Sequence, residues 1–89
     1  MDIEFDSYKS SRNEIQRGLS FEVAREFDFI TALTKIDARC DYGETRDTSI
    51  GPIAYRLHVL IFTVRPPGIR VISLRKANDR EVALYEQET

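Results

Sequence analysis

The stretch Ile69-Arg70-Val71-Ile72-Ser73-Leu74 has the pattern of an apolar strand and runs straight into Arg75-Lys76. A helix start follows, with Tyr85 inside it and acidic residues behind. A guanidinium such as that of Arg75 can grip two oxygens of an anion at once and stays charged at any working pH. Lys76 adds a compact point charge, and a phenol can donate or accept a hydrogen bond at a reacting oxygen. His58 has the right chemistry for proton transfer, yet it stands among Leu57, Val59 and Leu60, where a structural histidine is the better reading.

The formal charge of −2 over 89 residues conceals an asymmetry. Residues 46–80 hold six arginines and one lysine against Asp47 and Asp79, a balance of +5, whereas residues 1–45 sum to −4 and residues 81–89 to −3. A basic segment inside an acidic chain points to a local anion site rather than to general adhesion to nucleic acid. Cys40 is the only cysteine, which excludes an internal disulfide and fits a cytoplasmic home. One cysteine and one histidine leave too few ligands for zinc, and no cofactor is expected. No apolar run approaches membrane-spanning length, and Met1-Asp2-Ile3-Glu4 lacks the form of a signal peptide.

The elements that must position these groups read as one domain over 1–89. Ile3 and Phe5 flank Glu4 in a short alternating start. Asp6 can cap a helix running to about Arg17, where Gly18 supplies a left-handed end. Ser20 is the next N-cap, with Phe21, Ala24 and Phe27 at helical spacing. "TALTKID" reads as a strand, "ARCDYGETRD" as a loop, and Arg46 to about Pro52 as another strand, with a turn near Ala54. "YRLHVLIFTV" is apolar on both alternating faces in its middle, the mark of a central strand. Arg65-Pro66-Pro67-Gly68 is a turn by composition, and the strand from Ile69 pairs back antiparallel. Asn78 with Glu81 forms a capping box opening a last helix. The order β-α-α-β-β-β-β-α predicts an α+β fold: an antiparallel meander sheet with two N-terminal helices and one C-terminal helix gathered on one face.

At this point the chain resembles the BrnT toxins of bacterial type II toxin–antitoxin systems. "FDSYKSSRNEIQRGLSFEVA", "DYGETR", "IG", "RLHVLIFT" and "IRVISLRKANDREVALYEQ" carry the resemblance in the right order over nearly the whole chain. The last segment is the most specific. The resemblance implies a RelE-like fold and an endoribonuclease that cleaves RNA, causes growth arrest and is held inactive by BrnA, an antitoxin with a ribbon-helix-helix DNA-binding part. Operator DNA would then be reached only through the antitoxin. The sequence departs from the family pattern at Arg17, where many members carry histidine, and at Phe62, where tyrosine is frequent. Asp47 stands at a position usually aromatic or aliphatic, and Ala54 replaces a turn glycine.

Metal-independent RNA cleavage must deprotonate the ribose 2′-OH, protonate the leaving 5′-oxygen and stabilise charge on the phosphate. On the resemblance, Arg75 and Lys76 serve the phosphate, with Tyr85 and Glu44 as proton-transfer candidates. Arg46, Arg56, Arg70 and Lys9 are candidates for RNA contact, Arg56 and Arg70 as a phosphate track on neighbouring strands. Each has a plainer reading: Arg75 paired with Glu81 or Glu86, Glu44 holding Arg46, Tyr85 packed beneath the last helix, and the other cations solvated. The competing function is a catalytically weak or inactive BrnT-like protein that binds the antitoxin as a co-repressor. A third is a structural α+β domain whose arginines serve solubility.

Overall fold

The computed structural model describes residues 2–37 and 45–89. Its elements are β1 (Asp2–Glu4), α1 (Ser7–Arg17), a 3₁₀ helix (Phe21–Glu26), β2 (Leu33–Asp37), β3 (Arg46–Ile53), β4 (Arg56–Arg65), β5 (Gly68–Lys76) and α2 (Asp79–Glu88). The expected α1 forms as its local signals dictate. The Asp6 carboxylate accepts from the Lys9 N–H at 3.1 Å, and Gly18 ends the helix at φ 74° with its N–H on the Glu14 carbonyl. At the other end of the chain Asn78 and Glu81 complete the capping box of α2, each side chain accepting from the other's backbone N–H at 2.9 Å.

The second N-terminal helix is corrected to a 3₁₀ helix of six residues, about two turns. Phe21, Ala24 and Phe27 recur every three residues, a spacing that keeps one face only when the helix has three residues per turn. All three are buried. Ser20 stands at the N-cap position without a side-chain cap bond; instead the buried Ser10 hydroxyl of α1 accepts from the Phe21 N–H at 2.8 Å. The strand expected from Arg46 to about Pro52 forms as β3, while most of the expected loop before it lies outside the described residues.

The sheet has the order β1-β5-β4-β3-β2. β2 to β5 pair antiparallel in chain order, but the expected antiparallel sheet is corrected to a mixed one, because β1 joins β5 in parallel register, Ile3 beside Ile69. Three alternating residues announce an edge strand and carry no information about its partner. Gly68 makes the pairing possible: a Cβ there would stand 1.8 Å from the Asp2 carbonyl oxygen.

β4 is apolar on both faces, and the structure covers both. Leu60 and Phe62 pack with Phe21, Ala24, Phe27, Val71 and Leu74 on the side of the N-terminal helices. Val59, with Leu57 and Ile61, packs against Val82 and Tyr85 of α2 on the other. The expectation of all helices on one face is therefore corrected: α2 lies opposite α1. A bulge interrupts the β4–β5 ladder, since Ile61 faces Ser73 while Phe62 faces Val71, leaving Ile72 without a partner.

Two sites are locally unfavourable. Asp47 is 8% exposed, and its Oδ1 has no hydrogen-bond partner among the described residues. Ala54, in the two-residue turn between β3 and β4, has φ 54°, where a Cβ is strained. Replacing Asp47 with Val should raise stability by about 1–3 kcal/mol, by removing an unsatisfied buried carboxylate from a strand that favours Val. Ala54→Gly should add about 0.5–1 kcal/mol. Thermal melts of both variants check this, and a lowered midpoint in either would contradict its assignment.

Candidate functional site

Antiparallel pairing brings the start of β4 and the end of β5 together, with His58 opposite Lys76 and Val59 opposite Arg75. Side chains alternate along a strand, so Arg56, His58 and Lys76 share the sheet face that carries Leu60, while Arg75 lies on the face covered by α2. His58 is buried, and its Nδ1 lies 2.8 Å from the Arg56 carbonyl oxygen. That oxygen can only accept, so Nδ1 carries the proton and Nε2 is left as an acceptor in the neutral ring. Burial pushes the His58 pKa below 6.5, and the charges of Arg56 and Lys76 push the same way against the carbonyl bond. Neither of those two cations has an ion-pair partner among the described residues. The structure thus assembles two uncompensated positive charges over a buried neutral imidazole.

Arg75 is engaged. Its Nη1 and Nη2 donate to the two carboxylate oxygens of Glu81 at 2.7 and 2.8 Å. The same carboxylate accepts the Asn78 N–H, so one side chain ties the strand end to the helix cap. The hydrogen bonds from Arg75 hold the Glu81 carboxyl below its ordinary range despite partial burial. Nη1 also donates to the Lys76 carbonyl at 3.4 Å, so one Nη2 hydrogen and the Nε–H of Arg75 lie outside these contacts. Tyr85 sits one turn beyond Glu81; its ring packs on the cluster of Ile50, Val59 and Ala77, and its hydroxyl donates to the Thr31 carbonyl at 3.0 Å.

The remaining candidates lie elsewhere. Arg70 faces Thr63, and Arg46 adjoins Asp47, which faces Phe62, so both stand at the opposite end of the sheet from Arg56. Thr63 is seven residues along β4 from Arg56, roughly 23 Å, so Arg56 and Arg70 lie on adjacent strands without being close. Arg70 is 3.8 Å from the Glu4 carboxylate, which Arg65 also approaches at 3.4 Å. Lys9 is exposed on α1. Glu44 lies outside the described residues.

Sequence reasoning passed over one arrangement. Asn13 is 6% exposed, and its amide donates to the Leu19 and Leu74 carbonyls at 2.8 Å each, pinning α1 to the edge of β5 that β1 leaves open beyond Arg70. Its Oδ1 accepts from Arg17 Nη1 at 3.1 Å, and Arg17 Nη1 also donates to the Ser73 hydroxyl at 3.3 Å. The spacing of Asn13 and Arg17 by one turn was a visible signal. The contact with Ser73 was not, because it depends on the bulge at Ile72. Among the described residues no three His, Cys, Asp or Glu side chains cluster as metal ligands, and no helix is long and apolar enough to cross a membrane.

In comparison with known families, residues 5–81 match a family described as "Ribonuclease toxin, BrnT, of type II toxin-antitoxin system". Comparison with curated proteins gives no match.

Two pH windows follow from the titrating groups. With the folded His58 pKa below its ordinary 6.5, the unfolded chain binds a proton that the folded chain refuses. Stability should therefore fall as pH drops through 6.5 toward the folded value. The Glu81 contribution is present above its ordinary 4.5 and should be lost as pH falls further, through the lowered folded value. Melting temperatures measured from about pH 7 to about pH 3 should show His58→Gln flattening the upper window and Glu81→Gln the lower. A His58→Gln profile as steep as wild type would remove His58 from the account.

Proposed function

The chain belongs to the BrnT family of ribonuclease toxins of type II toxin–antitoxin systems, and on that premise we propose that it is a metal-independent endoribonuclease of RelE-like type. It cleaves cytoplasmic RNA, thereby inhibits translation, and is neutralised by a BrnA-like antitoxin that links it to operator DNA. A type II system supplies an antitoxin protein as partner; that this partner is BrnA-like is part of the proposal.

The observation that carries the reading is the strand end, where Arg56 and Lys76 share one sheet face with no ion-pair partner among the described residues and Arg75 lies on the other. A phosphodiester lying over that end would meet the two cations of one sheet face, and a strand that wraps the end would reach the guanidinium held rigid by Glu81 on the other. Such donors act most strongly when oriented before the reaction, because no reorganisation is then needed as charge develops on the phosphate. Arg75, Lys76 and Arg56 serve as phosphate ligands, with Glu81 positioning Arg75. Tyr85 and Glu44 are the proposed proton-transfer pair. Tyr85 must exchange its bond with Thr31 to take part. Arg46, Arg70 and Lys9 lie away from the strand end and serve RNA binding rather than the chemical step.

One observation favours the co-repressor reading: Arg75 and Tyr85 are both satisfied inside the chain. Expression in cells separates the two. Wild type should arrest growth and leave fragmented RNA, with relief by the antitoxin. Lys76→Ala and Arg56→Ala, in protein that melts like wild type, should each lose about 10²–10³ in cleavage rate, the scale for one phosphate-stabilising group. Cleavage of purified RNA should persist with a chelator present. Healthy cells and intact RNA alongside folded wild type would establish the co-repressor instead.

A further inference from the structure

Three cations that the strand-end site leaves unused, Lys9, Arg12 and Arg17, lie on α1. Lys9, Arg12 and Gln16 recur at spacings of three and four, so they line one side of the helix over about 10 Å. With Arg17, Ile72 and Ser73 they border a cleft of about 170 Å³ between α1 and β5, and no carboxylate lines it. Arg12 rests over the Tyr8 ring at 5.9 Å. Arg17 is held at one corner only: both of its hydrogen bonds use Nη1, leaving Nη2 and Nε to face a ligand. Its anchor is firm, because the Asn13 oxygen it donates to belongs to a buried amide fixed by two backbone carbonyls.

The bulge gives the cleft its second wall. Strict alternation would turn Ser73, opposite Ile61, toward the α2 face. The unpaired Ile72 breaks that alternation, and Ser73 reaches the α1 guanidinium. Here the bulge re-aims a side chain toward cations that have no ion-pair partner among the described residues.

We propose that this cleft is a second phosphate-binding site, taking the backbone of single-stranded RNA apart from the strand-end cations. The choice of RNA rests on the ribonuclease reading, whereas the affinity for a phosphate backbone rests on the cleft itself. A narrow cleft with one oriented guanidinium takes a single phosphate, and Lys9 and Arg12 extend the contact along α1. The site holds the strand in register while cleavage proceeds at the sheet end.

The test is binding of a short 2′-O-methyl single-stranded RNA, which cannot be cleaved through its 2′-oxygen, followed by fluorescence anisotropy over a salt series. Each phosphate contact on a single strand contributes about 0.7 to the slope of log K against log salt. Arg17→Ala should reduce that slope by about 0.7, and the Lys9→Ala, Arg12→Ala, Arg17→Ala triple variant by about 2. Arg17→Lys should restore most of the slope. Thermal melts confirm that Asn13 still anchors the helix. A triple variant with the wild-type slope overturns the proposal, as does wild type that fails to bind at low salt. RNA fragmentation in cells with an unchanged triple-variant slope would sink the cleft and spare the ribonuclease. A lost slope with no fragmentation would do the reverse.

Discussion

β4 is the constraint on which the rest of the structure depends. Leu60 is 0% exposed on one face and Val59 1% on the other, so this strand is stable only if the chain covers it twice. The segment from Asp6 to Phe27 supplies one cover and α2 the other. A helix of ten residues without a single buried side chain could hardly hold that position by apolar packing alone. The Arg75–Glu81 pair and the Tyr85 hydroxyl bond supplement it. The polar chemistry at the strand end is thus bound up with the requirement to close the second face of the sheet.

Legibility in the sequence followed the range of the signal. α1 and the capping box of α2 are written in residues three or four apart, and both appear where Asp6, Gly18, Asn78 and Glu81 place them. β4 was recognisable because a doubly covered strand is apolar at odd and even positions alike. The face that α2 takes could not be read, since nothing in Val82 or Tyr85 distinguishes one side of the sheet from the other. The partner of β1 was equally hidden, being set by Gly68 across the length of the domain.

For the candidate site, the sequence signalled which residues carry charge but not which ones meet. Arg56 and Arg70 sit on neighbouring strands as expected, yet antiparallel register sends them to opposite ends. Lys76 and Arg75 are consecutive and therefore face opposite sides, one beside His58 and one beside Glu81. The Arg17–Asn13–Ser73 contacts needed both the bulge and the open edge of β5. Asp47 and Ala54, which depart from the family pattern, coincide with a buried unpaired oxygen and a left-handed alanine. Departures of this kind show that the fold tolerates local conflict where the surrounding sheet is well determined.

The amide of Asn13 reaches a carbonyl 61 residues further along the chain. The cleft beside it therefore has one wall from each side of that separation, and so does the pairing of β1 with Gly68. During synthesis on a ribosome, the α1 cations emerge long before Ile72 and Ser73, and the strand-end cation Lys76 emerges later still. An unfinished chain holds α1 without the strand edge that gives it a groove. Assembly of the cleft and of the cationic strand end is in this way timed by the order of translation, and neither is complete until the segment from Ile72 to Lys76 has been made.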